Sequence, residues 1–165
     1  MAGLGIGLLG AARITDKAVI DPARVIPQCR ITAVSARDRA RAETVASEHG
    51  IGTVLSGYAD VIASEEVDLI YNPLPINLHA EWTIKVLEAG KPVLCEKPFA
   101  MNADEARAML AVAEASGQRL IEAFHYRYHP AFETCLAWVV ADEIGELKEI
   151  HGAFDVEIKD NGTEI

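Results

Sequence analysis

The chain has 165 residues, with 25 Asp and Glu against 15 Lys and Arg for a formal net charge of −10, and half of it is hydrophobic. That length admits one domain with a core, or one domain and part of a second, and the composition excludes a disordered chain. A surface this acidic repels phosphate backbones and anionic headgroups, so charge argues against nucleic acid and membrane as partners, and any phosphate site must be built from local amides and one or two arginines.

No apolar run approaches the ~20 residues of a membrane span. The N-terminus has no basic region ahead of its apolar stretch and does not read as a signal peptide. Cys29, Cys95 and Cys135 are odd in number and far apart, as reduced cytoplasmic thiols are. A cytoplasmic protein is expected.

Residues 4–9 form a short apolar run before Gly10 and predict a buried strand. Residues 13–26 carry Val19, Ile20, Val25 and Ile26 at helical spacing, with a disturbance expected near Pro22. Residues 30–35 (RITAVS) predict the second strand. Asp38 can cap the following helix, which turns Ala42, Val45 and Ala46 inward and stops at Gly50. Residues 53–55 predict a short third strand, and residues 67–71 (VDLIY) a fourth, ended by Asn72-Pro73.

Asn77 can cap a helix that buries Ala80, Ile84 and Leu87 and stops at Gly90. Residues 92–95 (PVLC) predict the fifth strand. Asn102 opens another helix, with Glu105 completing a capping-box-like pair and Ala106, Met109, Leu110 and Ala113 facing inward. Residues 119–123 predict the sixth strand. Six apolar strands alternating with helices of about 10–15 residues predict an α/β fold, a doubly wound parallel (Rossmann) sheet of order 3-2-1-4-5-6.

Beyond residue 124 the pattern changes. A helix starts at Pro130, with Phe132, Cys135, Leu136, Val139 and Val140 on one side. Residues 147–158 alternate apolar and polar, as in a half-buried antiparallel strand. This divides the chain into a dinucleotide-binding domain, residues 1–124, and the start of a second α+β domain, residues 125–165. Trp82 and Trp138 read as core or interface residues.

The spelling G-x-G-x-x-G falls on Gly5, Gly7 and Gly10. A phosphate-binding turn has to lie where strand becomes helix. If Gly5 were that turn, the strand would shrink to residues 1–4. The turn is therefore assigned to Gly10, the fingerprint becomes G-x-A-x-x-T over residues 10–15, and Gly5 and Gly7 are assigned to close packing of strand against helix. Ala12 still permits close backbone approach to a pyrophosphate.

The second strand ends in Ser35-Ala36-Arg37-Asp38. Serine and arginine suit a 2′-phosphate, and Asp38 is accounted for as a helix cap, so NADP is favoured and NAD is the alternative. Glu96, Lys97 and Pro98 lie just past the fifth strand, at the edge where open α/β sheets bind ligands. A lysine there can hydrogen-bond a substrate hydroxyl and assist its proton as hydride leaves; position alone fits a surface lysine equally well.

The stretches GLLGAARIT, AVSARD, NPLPINLHAEW, AGKPVLCEKPFA and EAFHYRYHP, in this order, resemble the glucose–fructose oxidoreductase / inositol dehydrogenase / MocA family, and within it the dihydrodiol and xylose dehydrogenase-like branch. The resemblance covers nearly the whole chain. It implies an NAD(P)-dependent oxidoreductase of sugars, polyols or vicinal diols, assembled as a homodimer or higher homo-oligomer.

Matched residue by residue, it implies a catalytic Lys97 and places Gly10, Ala12, Arg13 and Ile14 on the phosphate loop. Ser35 and Arg37 fall at the adenosine end. Asn72, Pro73, Leu74 and His79 line the cofactor, Glu96 and Lys97 flank the nicotinamide, and His125 and Arg127 bound the nicotinamide and substrate pocket. Read by itself, His79 equally fits a helix-start histidine bonded to backbone. His125 and His129 have the spacing of a helical metal pair, but the segment ends at Pro130, so no metal site is expected.

The resemblance further implies a large open sheet and a second proton-handling His or Tyr that lie beyond Ile165, so a finished enzyme is expected to be roughly twice this length. The alternative is a non-catalytic dinucleotide-binding or cofactor-sensing module that dimerises through the strand at 147–158.

Overall fold

The computed structural model describes residues 3–153 and 155. The chain divides into two compact units, Met1–Phe124 and His125–Ile165.

The first unit is built on a six-stranded, wholly parallel sheet of order β3-β2-β1-β4-β5-β6. Its strands are β1 (Leu4–Leu9), β2 (Cys29–Ser35), β3 (Thr53–Val54), β4 (Leu69–Asn72), β5 (Val93–Cys95) and β6 (Leu120–Glu122). Helices connect them because parallel neighbours need a crossover. Both faces are therefore covered, which is why the strands read as continuous apolar runs. One face packs Leu9, Ala33, Ile70 and Val93 against Val61, Val86 and Leu87. The other packs Ile6, Leu8, Val34 and Tyr71 against Val19, Ile20, Ala42 and Ala46.

Registers align the carboxyl ends of the strands. Leu9 pairs with Ser35, Leu8 with Tyr71, Asn72 with Cys95 and Cys95 with Glu122. The segments opened by Gly10, Ala36, Pro73 and Glu96 consequently leave the sheet along one edge.

The first crossover widens into a π-helix over Asp16–Ile20 before continuing as α1 (Asp21–Val25), with Pro22 in its first turn. Helix α2 (Arg39–His49) is capped by Asp38, whose side chain accepts from the Ala40 amide, and stops at Gly50 with φ +69°. Helix α3 (Tyr58–Ala63) has no side-chain cap and buries only Val61 and Ile62, so it left no periodic signal.

Helix α4 (His79–Glu88) departs from expectation. A 3-10 turn, Ile76–Leu78, precedes it, so Asn77 is not its cap. Its buried residues are His79, Thr83, Val86 and Leu87; Ala80 and Ile84 are half-buried. The helix is rotated because polar partners for His79 and Thr83 lie beneath it.

Helix α5 (Ala103–Ser116) is capped as the sequence indicated, Asn102 accepting from the Asp104 and Glu105 amides. Glu105 reaches back to the Met101 amide instead of closing the box on Asn102. Met109 is buried, but Leu110 is 51% exposed. α5 packs against α4 near the end of the sheet.

The second unit contains a 3-10 turn, His125–Tyr128, and α6 (Pro130–Val140), capped by His129 through the Ala131 amide. The rings of Tyr126 and Phe132 meet edge to face with centroids 5.1 Å apart. Most of the expected inward face of α6 is not buried: Phe132, Cys135, Leu136 and Val140 are exposed, and Val139 is half-buried. Nor is there a strand over residues 147–153, where Ile150 is 79% exposed. A lone strand has no ladder to pair with. Residues 154 and 156–158 of that expected strand lie outside the described residues.

The tightness of β1 is testable. A Cβ on Gly7 would stand 2.7 Å from Val61 Cγ1 and 2.8 Å from Val67 Cγ1, while one on Gly5 would overlap the carbonyl oxygen of Glu66. Gly7 thus admits helix α3, as expected, whereas Gly5 admits the turn beyond it. Gly7→Ala is expected to cost about 1–3 kcal/mol in urea unfolding, and Gly5→Ala more, because a backbone carbonyl cannot swing aside as a valine methyl can.

Candidate functional site

A cleft of about 430 Å³ opens where β1 and β4 diverge at the carboxyl edge of the sheet. This is the topological switch point of a doubly wound sheet, where the chain crosses from one side to the other. Gly10, Ala11 and Ala12 form one wall. Gly10 has φ +99°, a conformation that excludes most side chains, and its amide donates to Ser35 O at 2.6 Å. The strand-to-helix turn therefore falls at Gly10, with Gly5 and Gly7 inside the strand. Thr15 closes the loop by donating from its amide to Ala12 O at 3.0 Å.

The opposite wall is Pro73, Leu74, Pro75 and Leu78. Asn72 shapes it from below: its Nδ2 donates to Thr83 Oγ1 at 3.1 Å and to His79 O at 3.4 Å, and its Oδ1 accepts from the Leu74 amide at 3.3 Å. The ring of His79 bridges two carbonyls, with Nε2 2.6 Å from Leu74 O and Nδ1 2.9 Å from Pro98 O. Asn72 and His79 are both buried and do not line the cleft. Expected as cofactor-lining residues, they lie behind the lining, their polar atoms engaged by backbone groups and the Thr83 hydroxyl.

At the β2 end, Ala36, Arg37, Asp38 and Arg41 line the cleft. Arg37, expected at the adenosine end, is among them, and Ser35 is not: its side chain is fully buried and its hydroxyl has no hydrogen-bond partner among the described residues. Strand alternation carries it inward. Arg41 was missed, although a trace was legible, since residues 37–41 read R-D-R-A-R in a chain otherwise short of cations. Arg39 is committed elsewhere, donating to Glu43 at 2.8 Å. Tyr58 was also missed; it lines the cleft and is braced edge-on by Trp82 with centroids 5.0 Å apart.

Arg13 and Ile14 follow the loop but are exposed and do not line the cleft. Glu96 and Lys97 leave β5, two strands from β1 and so ~10 Å along the same edge. Glu96 is buried, accepting from the Tyr71 hydroxyl at 2.7 Å and from the Lys97 amide at 3.1 Å. Lys97 is exposed, and its ammonium forms no ion pair among the described residues. Burial first, then the hydrogen bond and charge of Glu96, push the Tyr71 hydroxyl well above the ordinary tyrosine range. Burial likewise pushes the Cys95 thiol up to about 12. His125 and Arg127 belong to the 3-10 turn of the second unit and are exposed.

Residues 4–124 match the family described as "Oxidoreductase family, NAD-binding Rossmann fold" (GFO_IDH_MocA). Among similar proteins, D-xylose 1-dehydrogenase (NADP(+)) 2 of Haloferax volcanii is 40% identical over 159 residues, which cover 96% of this chain and 48% of the relative. Trans-1,2-dihydrobenzene-1,2-diol dehydrogenase of Xenopus tropicalis is 31% identical over 154 residues, covering 92% of this chain and 46% of the relative. A 3-ketoreductase from Actinomadura kijaniata, solved in complex with NADP, superposes with a TM-score of 0.78 at 33% identity, covering 87% of this chain and 46% of that one. The chain spans about half the length of the curated relatives it matches.

The Tyr71 environment carries a prediction. An unfolded tyrosine ionises near about 10, so above that pH the unfolded chain sheds a proton that the folded chain keeps. Stability from Tyr71 is present in full below that value and is lost as pH rises toward the folded-state pKa. Ultraviolet titration of the folded chain should find one of the four tyrosines missing from the ordinary wave. Tyr71→Phe should flatten the alkaline loss of stability seen in urea unfolding.

Proposed function

We propose that this chain, which belongs to the GFO/IDH/MocA family of oxidoreductases, binds NADP(H) and supplies the cofactor-binding part of an enzyme that passes hydride to or from a sugar, polyol or vicinal diol. The observation that carries this reading is the union, in one cleft, of a glycine turn at a strand-to-helix junction with two arginines, Arg37 and Arg41, lining the β2 end. In a chain of net charge −10, paired arginines are a local exception that a phosphate explains.

Arg37 and Arg41 hold the 2′-phosphate, since guanidinium groups grip phosphate oxygens with paired, charge-assisted hydrogen bonds. Asp38 could instead meet a ribose 2′-hydroxyl, as acidic residues there do in NAD sites. Its carboxylate is engaged at 3.0 Å by the Ala40 amide, which favours NADP over NAD. The amides after Gly10 and Ala12 face the pyrophosphate. Pro73 and Leu74, held by Asn72 and His79, form the other side. Residues 1–124 act as the dinucleotide domain, and residues 125–165, with His125 and Arg127, begin the substrate and oligomerisation domain of a homo-oligomer.

The cofactor supplies the hydride chemistry when bound. In this reading Lys97 lies on the nicotinamide side of the sheet, where its ammonium hydrogen-bonds the substrate oxygen and handles the proton that accompanies hydride transfer. The relatives named for xylose and dihydrodiol oxidation support a polyhydroxylated substrate. The alternative of a module dimerising through a strand at 147–158 gains nothing from residues 147–153, which form none.

Fluorescence titration with NADPH and NADH tests the cofactor. Arg37→Ala and Arg41→Ala should each weaken NADPH roughly 10- to 100-fold, about 1.5–3 kcal/mol for a charged hydrogen bond, and leave NADH nearly unchanged. Equal losses for both cofactors would overturn the assignment. In the full-length native protein, Lys97→Ala should lower kcat on polyols by roughly 10²- to 10⁴-fold with NADPH affinity intact. Tight NADPH binding without turnover on any sugar or diol would favour a non-catalytic module.

A further inference from the structure

Tyr71 and Glu96 form a buried pair that contact with the cofactor cleft does not explain. Tyr71 is 1% exposed in the middle of the sheet, a place where phenylalanine would pack equally well. A buried hydroxyl is retained at a cost unless it is bonded. Its partner at 2.7 Å is the carboxylate of the residue immediately before Lys97. Glu96 is only 9% exposed and forms no ion pair among the described residues. Neutral donors hold its charge: the Tyr71 hydroxyl on Oε1 and the Lys97 amide on Oε2 at 3.1 Å.

A buried carboxylate without a cation is a poor stabilising device. Its geometry suits a different task. Oε1 is tied to β4, the Glu96 amide donates to Asn72 O of the same strand at 3.0 Å, and Oε2 folds back onto the next residue's N–H. That leaves the backbone between residues 96 and 97 little freedom. The other flank is held separately, because His79 Nδ1 lies 2.9 Å from Pro98 O.

We propose that Tyr71 is a positioning residue for Lys97, acting through the Glu96 carboxylate to fix the direction in which the lysine leaves the sheet. This rests on the role given to Lys97 above. Catalytic groups work only within a narrow range of geometry, and Lys97 itself stands on an exposed turn, its ammonium in no ion pair among the described residues. The hydroxyl–carboxylate–amide chain carries the rigidity of β4 across to that turn.

Two measurements test it. In the wild-type chain, hydrogen exchange followed by NMR should find the Lys97 amide protected despite its exposed position. Exchange at the free-peptide rate would overturn the proposal without any variant. In the full-length enzyme, Tyr71→Phe should lower kcat roughly 10-fold while the substrate KM and NADPH affinity stay within about twofold, effects on kcat alone being the mark of a lost transition-state interaction. The Lys97 amide should then exchange roughly as much faster, with Ile70 and Val93 unchanged.

If Tyr71 acts through Glu96, Tyr71→Phe adds nothing to Glu96→Ala, and the double variant matches the single one. Additive losses, or an unchanged kcat in Tyr71→Phe while Lys97→Ala is inactive, would sink the positioning role and leave that of Lys97 standing. A fully active Lys97→Ala would remove the premise itself.

Discussion

The constraint on which the rest depends is the crowding around β1. This strand lies at the centre of the sheet, paired with β2 on one side and β4 on the other, and a helix and a turn press against the face that carries its glycines. There is no room for a Cβ at Gly5 or Gly7. The carboxylate of Asp68 accepts from the Gly5 amide at 2.7 Å, and the Asp68 amide donates back to Gly5 O at 2.8 Å, tying the start of β4 to the start of β1. With the two central strands locked at their beginnings, their ends are fixed as well. Gly10 and Pro73 must then diverge at one place, which is the floor of the cleft.

From that floor upward, polar residues replace apolar packing. Asn72, His79, Thr83 and Glu96 are buried close to the ends of β4 and β5, where a purely stabilising core would carry aliphatic side chains. Each has partners: Asn72 bonds Thr83 and backbone, His79 bridges two carbonyls, and Glu96 takes a hydroxyl and an amide. Buried polar groups are tolerated when satisfied, and a fully connected set rigidifies what it joins. What these join is the loops after β4 and β5, the segments that must keep their shape while a ligand comes and goes. Neighbouring loops joined in this way are expected to move together.

The layers of the sheet and the turn at Gly10 were legible in the sequence because they follow from local rules. A strand must be long enough to bury something, a crossover must begin at a strand end, and caps such as Asp38 and Asn102 act within three residues. What escaped the sequence is tertiary. Ser35 occupied the right position for a phosphate contact but points inward, and a side chain's face at the last residue of a strand is decided by the sheet. Arg41 lay one helical turn beyond the pattern considered. The burial of His79 and Thr83 shifted α4 off the face expected of it, because apolar periodicity cannot foresee a helix that turns polar groups inward to meet Asn72. The exposed face of α6 fails in the other direction: Phe132, Leu136 and Val140 have the spacing of a buried stripe, and periodicity records what a face is suited to without supplying the surface that covers it.

Charge completes the physical picture of the cleft. A chain with ten more acidic than basic residues repels a polyanion over most of its surface, so affinity for a phosphorylated ligand has to be local. At physiological ionic strength such interactions are screened over ~8 Å. Arg37 and Arg41 line the same cleft as the glycine turn, while Arg39 is paired with Glu43. The acidic remainder of the surface then contributes discrimination, since it disfavours nucleic acid and other extended anions without weakening a ligand whose phosphates all fall inside the cleft.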